Sequence, residues 1–318
     1  MSRTLITGAT GFAGRHLLKE LLGREQPVSA WSHAGGRRRV TPAEDPRIAW
    51  RAVDLLDAAA VRDALAADPP SVIFHCAGVA NVHTAWTAPE QSLRVNALGT
   101  HHLLDAARRS GFTGRIVVVS SALVYRPSSA PIGEDHPIGP DTPYGVSKVA
   151  QEMLATASGL DVVIARPFNH AGPGQDPGFV TSAFARQVAE IEAGLVPPVL
   201  RVGNLDARRD LTDVRDTVRA YRMLADAGRS GRPYNVCSGT AYRVRDLLDV
   251  LLSLAGVPVR VETDPARLRP SDNPLVLGSR ARITEETGWM PEIAIDRTLS
   301  DLLRDWRRRV AAGQAPAE

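Results

Sequence analysis

Residues 3–14 read Arg-Thr-Leu-Ile-Thr-Gly-Ala-Thr-Gly-Phe-Ala-Gly, and this stretch decides how the rest of the chain is read. Arg3, Leu5 and Ile6 open a short apolar strand, and Leu17, Leu18, Leu21 and Leu22 give the segment behind it one apolar face at helical spacing. Between strand and helix lie Gly8, Gly11 and Gly14. A backbone without side chains can turn tightly there and approach a pyrophosphate, whose charge suits the unpaired N–H groups at the start of a helix. Three glycines alone carry little weight; the strand before and the helix after supply the context. The expectation is a dinucleotide held by Gly8, Thr10, Gly11, Phe12, Ala13 and Gly14.

Working outward, short apolar runs at 3–6, 28–31, 48–50, 72–74, 116–119 and 162–164 alternate with helix-period segments at 11–22, 58–67, 92–109 and 143–157. That alternation predicts an α/β fold with a doubly wound parallel sheet and right-handed crossovers. After Arg166 the texture changes, with Gly, Pro and Asn crowded into Asn169-His170-Ala171-Gly172-Pro173-Gly174. The expected division is a dinucleotide-binding domain over 1–168, joined again by 208–238, and a smaller mixed α/β substrate-binding domain over most of 169–318. With 44% hydrophobic and 23% charged residues in 318, the composition is that of a globular chain rather than a disordered one. The net charge is +3 with Lys and Arg scattered, which argues against a nucleic-acid partner. Cys76 and Cys237 are too few for a disulfide framework, and no metal site is expected. Without a basic-then-apolar leader or an 18-residue apolar run, neither export nor a membrane is expected, and the cytoplasm is the expected location.

The second strand ends in Trp31-Ser32-His33, where NAD-specific sites usually carry a carboxylate for the ribose hydroxyls. Gly35-Gly36-Arg37-Arg38-Arg39 follows. A missing carboxylate and nearby guanidinium groups favour a 2′-phosphate beside Ser32 and Arg37, hence NADP over NAD; the alternative is a solvated basic loop. Asp54 and Leu55 stand where the third strand ends and could meet the adenine, and Ala77-Gly78 after the fourth lets the backbone lie close to a cofactor.

Tyr144-Gly145-Val146-Ser147-Lys148 sets a phenol and an ammonium at i and i+4 on one helix face, roughly 5–6 Å apart at Cβ. Thr142 suits the N-cap and Pro143 the first helical position. An ordinary tyrosine titrates near 10, and bringing it to neutrality needs about 4 kcal/mol, which Lys148 and an oxidised nicotinamide could share. Ser121, at the end of the fifth strand, is placed to bond the reacting oxygen. The candidate catalytic set is Ser121, Tyr144 and Lys148, for moving a hydride and a proton at an oxygen-bearing carbon.

Residues 7–14, Ser121, residues 144–148 and Arg166-Pro167-Phe168-Asn169 together resemble the extended short-chain dehydrogenases/reductases, over nearly the full chain. The resemblance implies a Rossmann fold, a nicotinamide and substrate lined by Pro167 and Asn169, and support of the site by Asn96. Residues 202–210 with 213–216, and Arg269-Pro270-Ser271-Asp272 before Thr287-Gly288-Trp289-Met290-Pro291, are similar to the GDP-mannose branch of nucleotide-sugar enzymes. That branch implies Arg209 and Arg269 on a sugar-nucleotide diphosphate, Phe179 and Val180 by the nucleotide, Asp272 near its ribose, and Ala122 with Ser121 at the sugar. Its 4,6-dehydratases carry a glutamate two residues after the serine or threonine, to move the proton that eliminates the C6 hydroxyl. Leu123 stands there, and cannot. The implied activity is therefore reduction of a nucleotide-linked 4-keto-6-deoxy sugar, with a 4-epimerase next, then a dehydratase, then a non-catalytic NADP sensor. Arg126 departs from the glycine usual after the tyrosine. A homodimer through segments 92–109 and 143–157 is implied as well.

Overall fold

The computed structural model describes residues 3–33, 45–267 and 273–314. Its first half runs β1 (Arg3–Thr7), α1 (Phe12–Leu22), β2 (Val28–Ser32), β3 (Ile48–Ala52), α2 (Ala58–Ala67), β4 (Pro70–His75), α3 (Val82–Thr87), α4 (Pro89–Leu93), α5 (Gly99–Arg109), β5 (Arg115–Val119), α6 (Pro143–Thr156) and β6 (Asp161–Pro167). The second half adds β7 (Asn169–Ala171), α7 (Val180–Glu192), β8 (Val199–Val202), β9 (Arg208–Asp213), α8 (Val214–Ala227), β10 (Pro233–Val236), β11 (Ala241–Arg243), α9 (Val244–Ser253), β12 (Arg260–Thr263), β13 (Leu275–Val276), α10 (Ala281–Thr287) and α11 (Ile295–Ala311). Seven strands form one sheet in the order β10-β6-β5-β4-β1-β2-β3, every pair parallel. This is the doubly wound Rossmann arrangement expected from the alternating pattern.

The central strands are apolar on consecutive residues because both faces of the sheet are covered. Leu5, Ile73, Ile116, Val118 and Ile164 join the layer beneath α2, α5 and α6. Their immediate neighbours Ile6, Phe74, Val117 and Val163 join the opposite layer beneath α1 and α8. Each such burial is worth about 1.5–3 kcal/mol. A ladder hydrogen bond nets only about 0.5–1.5 kcal/mol. The two-sided apolar pattern therefore decides where these strands lie.

The expected single helix over 92–109 needs correcting. It begins earlier, as α4 with Pro89 in its first turn, passes through a π-turn at Arg94–Leu98 and continues as α5. The wide turn coincides with Asn96, whose side chain is drawn onto the Val79 backbone while the Gly99 N–H reaches back to the Arg94 carbonyl. Of segment 208–238, α8 and β10 lie in the first lobe, but β9 belongs to a second sheet, where it pairs with β7, β11 and β13. The second lobe has its own core of Phe184, Val188, Leu247, Leu251, Leu302 and Trp306 on α7, α9 and α11. Trp289 crosses back into the first core, and its indole N–H donates to the Asp216 carbonyl at 3.0 Å. No helix among the described residues is long and apolar enough to cross a membrane.

Candidate active site

The glycine loop is set by backbone packed on backbone. Gly8 sits at φ +69°, and a Cβ there would lie 2.7 Å from the Ala77 backbone. One on Gly14 would lie 2.2 Å from the Gly8 carbonyl oxygen. Gly11 is the N-cap of α1 and brings no side chain over the first turn, which also holds no acidic residue. The helix end is thus left open to an anion. Beside it a cavity of about 960 Å³ is walled by Gly8, Thr10, Gly11, Ser32, Asp54, Leu55, Ala77 and Gly78 among others. A cradle of this size beside the open start of α1, with polar and apolar groups in its wall, fits a dinucleotide. Asp54 also closes its own turn, accepting from Leu56 N at 2.9 Å.

Phe12, Ala13, Gly14, Asn96, Tyr144, Lys148, Pro167 and Asn169, also expected at the cofactor, are not in that wall. Trp31, Leu56, Val79, Gln91, Arg94 and Val95 are, and were not anticipated. Gln91, Arg94 and Val95 belong to α4 and the π-turn, where no motif announces them. Arg37 to Arg39, Arg269 and Asp272 lie outside the described residues.

Ser121 and Tyr144 meet because of Gly145. Ser121 caps a 3₁₀ turn over Ala122–Val124, its Oγ accepting from Leu123 N at 3.2 Å. Thr142 Oγ1 caps α6 by accepting from Gly145 N at 3.0 Å, with Pro143 at the first position, as the sequence suggests. A Cβ on Gly145 would fall 2.3 Å from the Leu123 carbonyl oxygen, so only glycine lets α6 lie against the serine-bearing turn. Burial pushes the Tyr144 phenol up to about 12, and the serine opposes this. Lys148 is not the opposing force expected of it; its Nζ is 5.9 Å from the Tyr144 ring centroid. It donates instead to the Val119 carbonyl and to Gln151 Oε1, both at 2.9 Å, and burial brings its ammonium down to about 8.

Asn96 is fully buried, accepts from Val79 N at 2.8 Å, and donates to Ser147 Oγ at 2.9 Å, tying the π-turn to α6. On the other side of α6, Glu152 takes two bonds from Arg166, at 2.9 and 2.6 Å, and one from Ser120 Oγ at 2.5 Å. Arg166 continues to the Tyr125 hydroxyl, which donates to Asn235 Oδ1 at 2.7 Å. A buried ion pair with every polar atom engaged is costly to break from one side. None of these five was singled out in the sequence as a support of the site.

Of the expected substrate contacts, Ser121 and Ala122 are at the turn; Asn169 is exposed on β7, Phe179 and Val180 are exposed at the start of α7, and Arg209 on β9 donates to the Asn273 carbonyl at 2.7 Å. His170, unanticipated, stacks on Phe12 with centroids 5.8 Å apart and 2° between planes. Arg126 is exposed beside Gly139, and its carbonyl accepts from His136 Nε2 at 3.0 Å.

The seven-stranded sheet, the glycine loop and the Ser121–Tyr144–Lys148 cluster define an extended short-chain dehydrogenase/reductase, and the chain belongs to the family described as GDP-mannose 4,6 dehydratase, whose model matches residues 5–302. It is similar to a GDP-6-deoxy-D-mannose reductase of Pseudomonas aeruginosa, 38% identical over 315 residues that cover 97% of this chain and 98% of that one. The solved structure of RMD from Pseudomonas aeruginosa complexed with NADPH matches at a TM-score of 0.86 and 36% identity, covering 97% of this chain and all of the other. A UDP-glucose 4-epimerase of Mycolicibacterium smegmatis is 30% identical, with 96% and 99% of the two chains covered.

Proposed function

We propose that this protein is an NADPH-dependent reductase of a GDP-linked 4-keto-6-deoxy sugar, converting GDP-4-keto-6-deoxy-mannose to GDP-rhamnose. The observation that carries this is the Ser121-bearing turn packed against the start of α6, beside the buried Tyr144 phenol, with Leu123 in that turn where elimination would need a carboxylate. Bound NADPH supplies the hydride; the loop of Gly8, Thr10, Gly11, Phe12, Ala13 and Gly14 holds its pyrophosphate, and Asp54 and Leu55 border its adenosine. Ser121 steadies the ketone oxygen. Tyr144, whose burial keeps it protonated at neutral pH, delivers a proton to that oxygen as charge grows there. Lys148 keeps its ammonium next to Gly78, at the cavity wall, and holds the ribose. Asn169, Phe179, Val180 and Arg209 face the sugar nucleotide. Arg37 is assigned to the cofactor on the charge of its segment, and Arg269 and Asp272 to the nucleotide on the resemblance alone. A cytoplasmic homodimer belongs to the same reading. Leu93 and Leu98 near α5 and Val146 and Met153 on α6 are exposed apolar side chains of the kind a second copy would cover.

The test is absorbance at the NADPH band with GDP-4-keto-6-deoxy-mannose. Consumption is expected, and Tyr144→Phe should lower turnover by about 10²–10⁴ while NADPH affinity stays within threefold. No consumption with that or any other keto-sugar nucleotide refutes the assignment. Tightly retained NAD and interconversion of C4 epimers without net oxidation would establish the epimerase reading instead.

A further inference from the structure

Four side chains run from the glycine loop to Lys148, each at most 1% exposed: Thr7, His75, Thr100 and Gln151. The amide of Ala77 donates to Thr7 Oγ1 at 3.3 Å, Thr7 Oγ1 lies 2.7 Å from His75 Nδ1, and His75 Nε2 lies 2.8 Å from Thr100 Oγ1. Gln151 Nε2 donates to that same threonine oxygen at 2.8 Å, and Lys148 Nζ donates to Gln151 Oε1 at 2.9 Å.

Counting hydrogens fixes the direction of every bond. An ammonium has no lone pair, so Gln151 must turn its oxygen to Lys148 and its NH₂ to Thr100. Thr100 has one proton, and it goes to the Asn96 carbonyl at 2.6 Å, which can only accept. The Thr100 oxygen therefore accepts from both Gln151 and His75. His75 must carry its hydrogen on Nε2, and its Nδ1 accepts the Thr7 hydroxyl proton. Burial keeps the imidazole neutral, in line with a ring that holds one hydrogen. Each end of the chain reaches the cavity: Thr7 lines it directly, and a Cβ on Gly78, another wall residue, would sit 3.4 Å from Lys148 Nζ.

We propose that Thr100 and Gln151 are positioning residues that transmit the placement of the glycine loop to the Lys148 ammonium, so that cofactor binding at the loop and the contact made by Lys148 are energetically coupled. The proposal rests on the reading of the loop as a dinucleotide site, and is independent of which sugar is reduced. Neither residue is assigned a contact with cofactor or substrate. A chain of neutral donors and acceptors with one allowed orientation suits this task, because no link can rotate without leaving a buried group unpaired.

The test is a double-mutant cycle on the full chain, read as NADPH affinity by fluorescence titration. Thr100→Val, which keeps the shape and loses the hydroxyl, should weaken binding about tenfold, and Thr100→Ser should recover it to within threefold. In a Lys148→Met background Thr100→Val should cost less than twofold, since nothing remains to position. An equal loss with and without Lys148 would mean that Thr100 acts through general packing, and the proposal falls; so does no loss in the wild-type background. If Thr100→Val fails to fold, Gln151→Leu takes its place in the cycle with the same expected pattern. Absence of sugar turnover would sink the reductase reading and leave this cycle readable, whereas a wild-type chain that bound no NADPH would sink both.

Discussion

The glycine loop and the turn that follows β7 touch along α1, and they are held by opposite means. On the loop side Gly8 rests on the Ala77 backbone and Gly14 on the Gly8 carbonyl, main chain against main chain. On the turn side every tie is polar and distant in sequence: Arg15 Nη2 donates to the Gly174 carbonyl at 2.8 Å, His16 Nε2 to the Pro173 carbonyl at 2.8 Å, and Gly174 N to Asp305 Oδ2 at 2.8 Å. Deeper in the second lobe, the carboxylate of fully buried Asp210 collects Ser238 N and Oγ at 2.7 Å, Gly239 N at 3.0 Å and Gly278 N at 3.1 Å. The first region is set by the close approach of backbone to backbone, and the second by polar ties between residues far apart in sequence.

The largest effect should come from the second region. Asp210→Ala leaves three backbone donors without their acceptor in a place water does not reach, at about 1–3 kcal/mol each before relaxation. A net loss of about 3–5 kcal/mol in urea unfolding is expected, with NADPH affinity within threefold of wild type in the absence of denaturant. A loss below 1 kcal/mol would show that the carboxylate is dispensable and blur the contrast between regions.

Next in size is Gly14→Ala. Its methyl would press on backbone atoms, which cannot rotate away, and overpacking of this kind costs about 1–3 kcal/mol. Spent at the loop, that is up to about 100-fold in NADPH affinity. Gly111→Ala is the control: its φ is also positive, at +70°, but nothing lies within 4 Å, so stability should fall slightly and NADPH affinity not at all. Equal losses of affinity in the two variants would remove volume as the reason for glycine in the loop.

The same contrast explains what could be read in the sequence. The loop, its strand and helix, and Tyr144 with Lys148 obey local rules, a period of two or of 3.6 and a glycine where the backbone crowds, so each residue announces itself within a dozen neighbours. Glu152, Arg166, Thr100 and Gln151 support the site through contacts up to 51 residues apart. Nothing in their own neighbourhoods distinguishes a glutamine that fixes an ammonium from one on a solvated face. The π-turn was unreadable for the same reason, since it coincides with the bonds between Asn96 and Val79 and not with a helix-breaking residue. The rise of Tyr144 toward 12 was missed because the sequence shows the charged neighbour and not the burial that outweighs it.

The smallest expected effect lies on the seam between the two regions. His16 is pulled down from 6.5 to about 4, first by burial, with Lys19 and Arg15 on its own helix adding to this, while its bond to Pro173 and Asp213 on β9 oppose it. A base whose folded-state pKa lies below its unfolded value binds more protons when unfolded, so it stabilises the fold above 6.5 and that contribution drains away as the pH falls toward 4. After allowance for solvent screening, acidification from pH 7.5 to 5 should remove about 1 kcal/mol through this residue, or ~1.5 °C of Tm in a chain this long. His75 and His170 are lowered by burial as well and give slopes of the same sign, so the wild-type melting curve alone does not isolate His16. His16→Gln does, because a glutamine can still donate to the Pro173 carbonyl and cannot take up the extra proton. Its Tm should fall less over that interval than that of the wild type. Parallel curves would mean that His16 binds its proton equally well in both states, and that the seam is not desolvated enough for its polar ties to differ in kind from those at the surface.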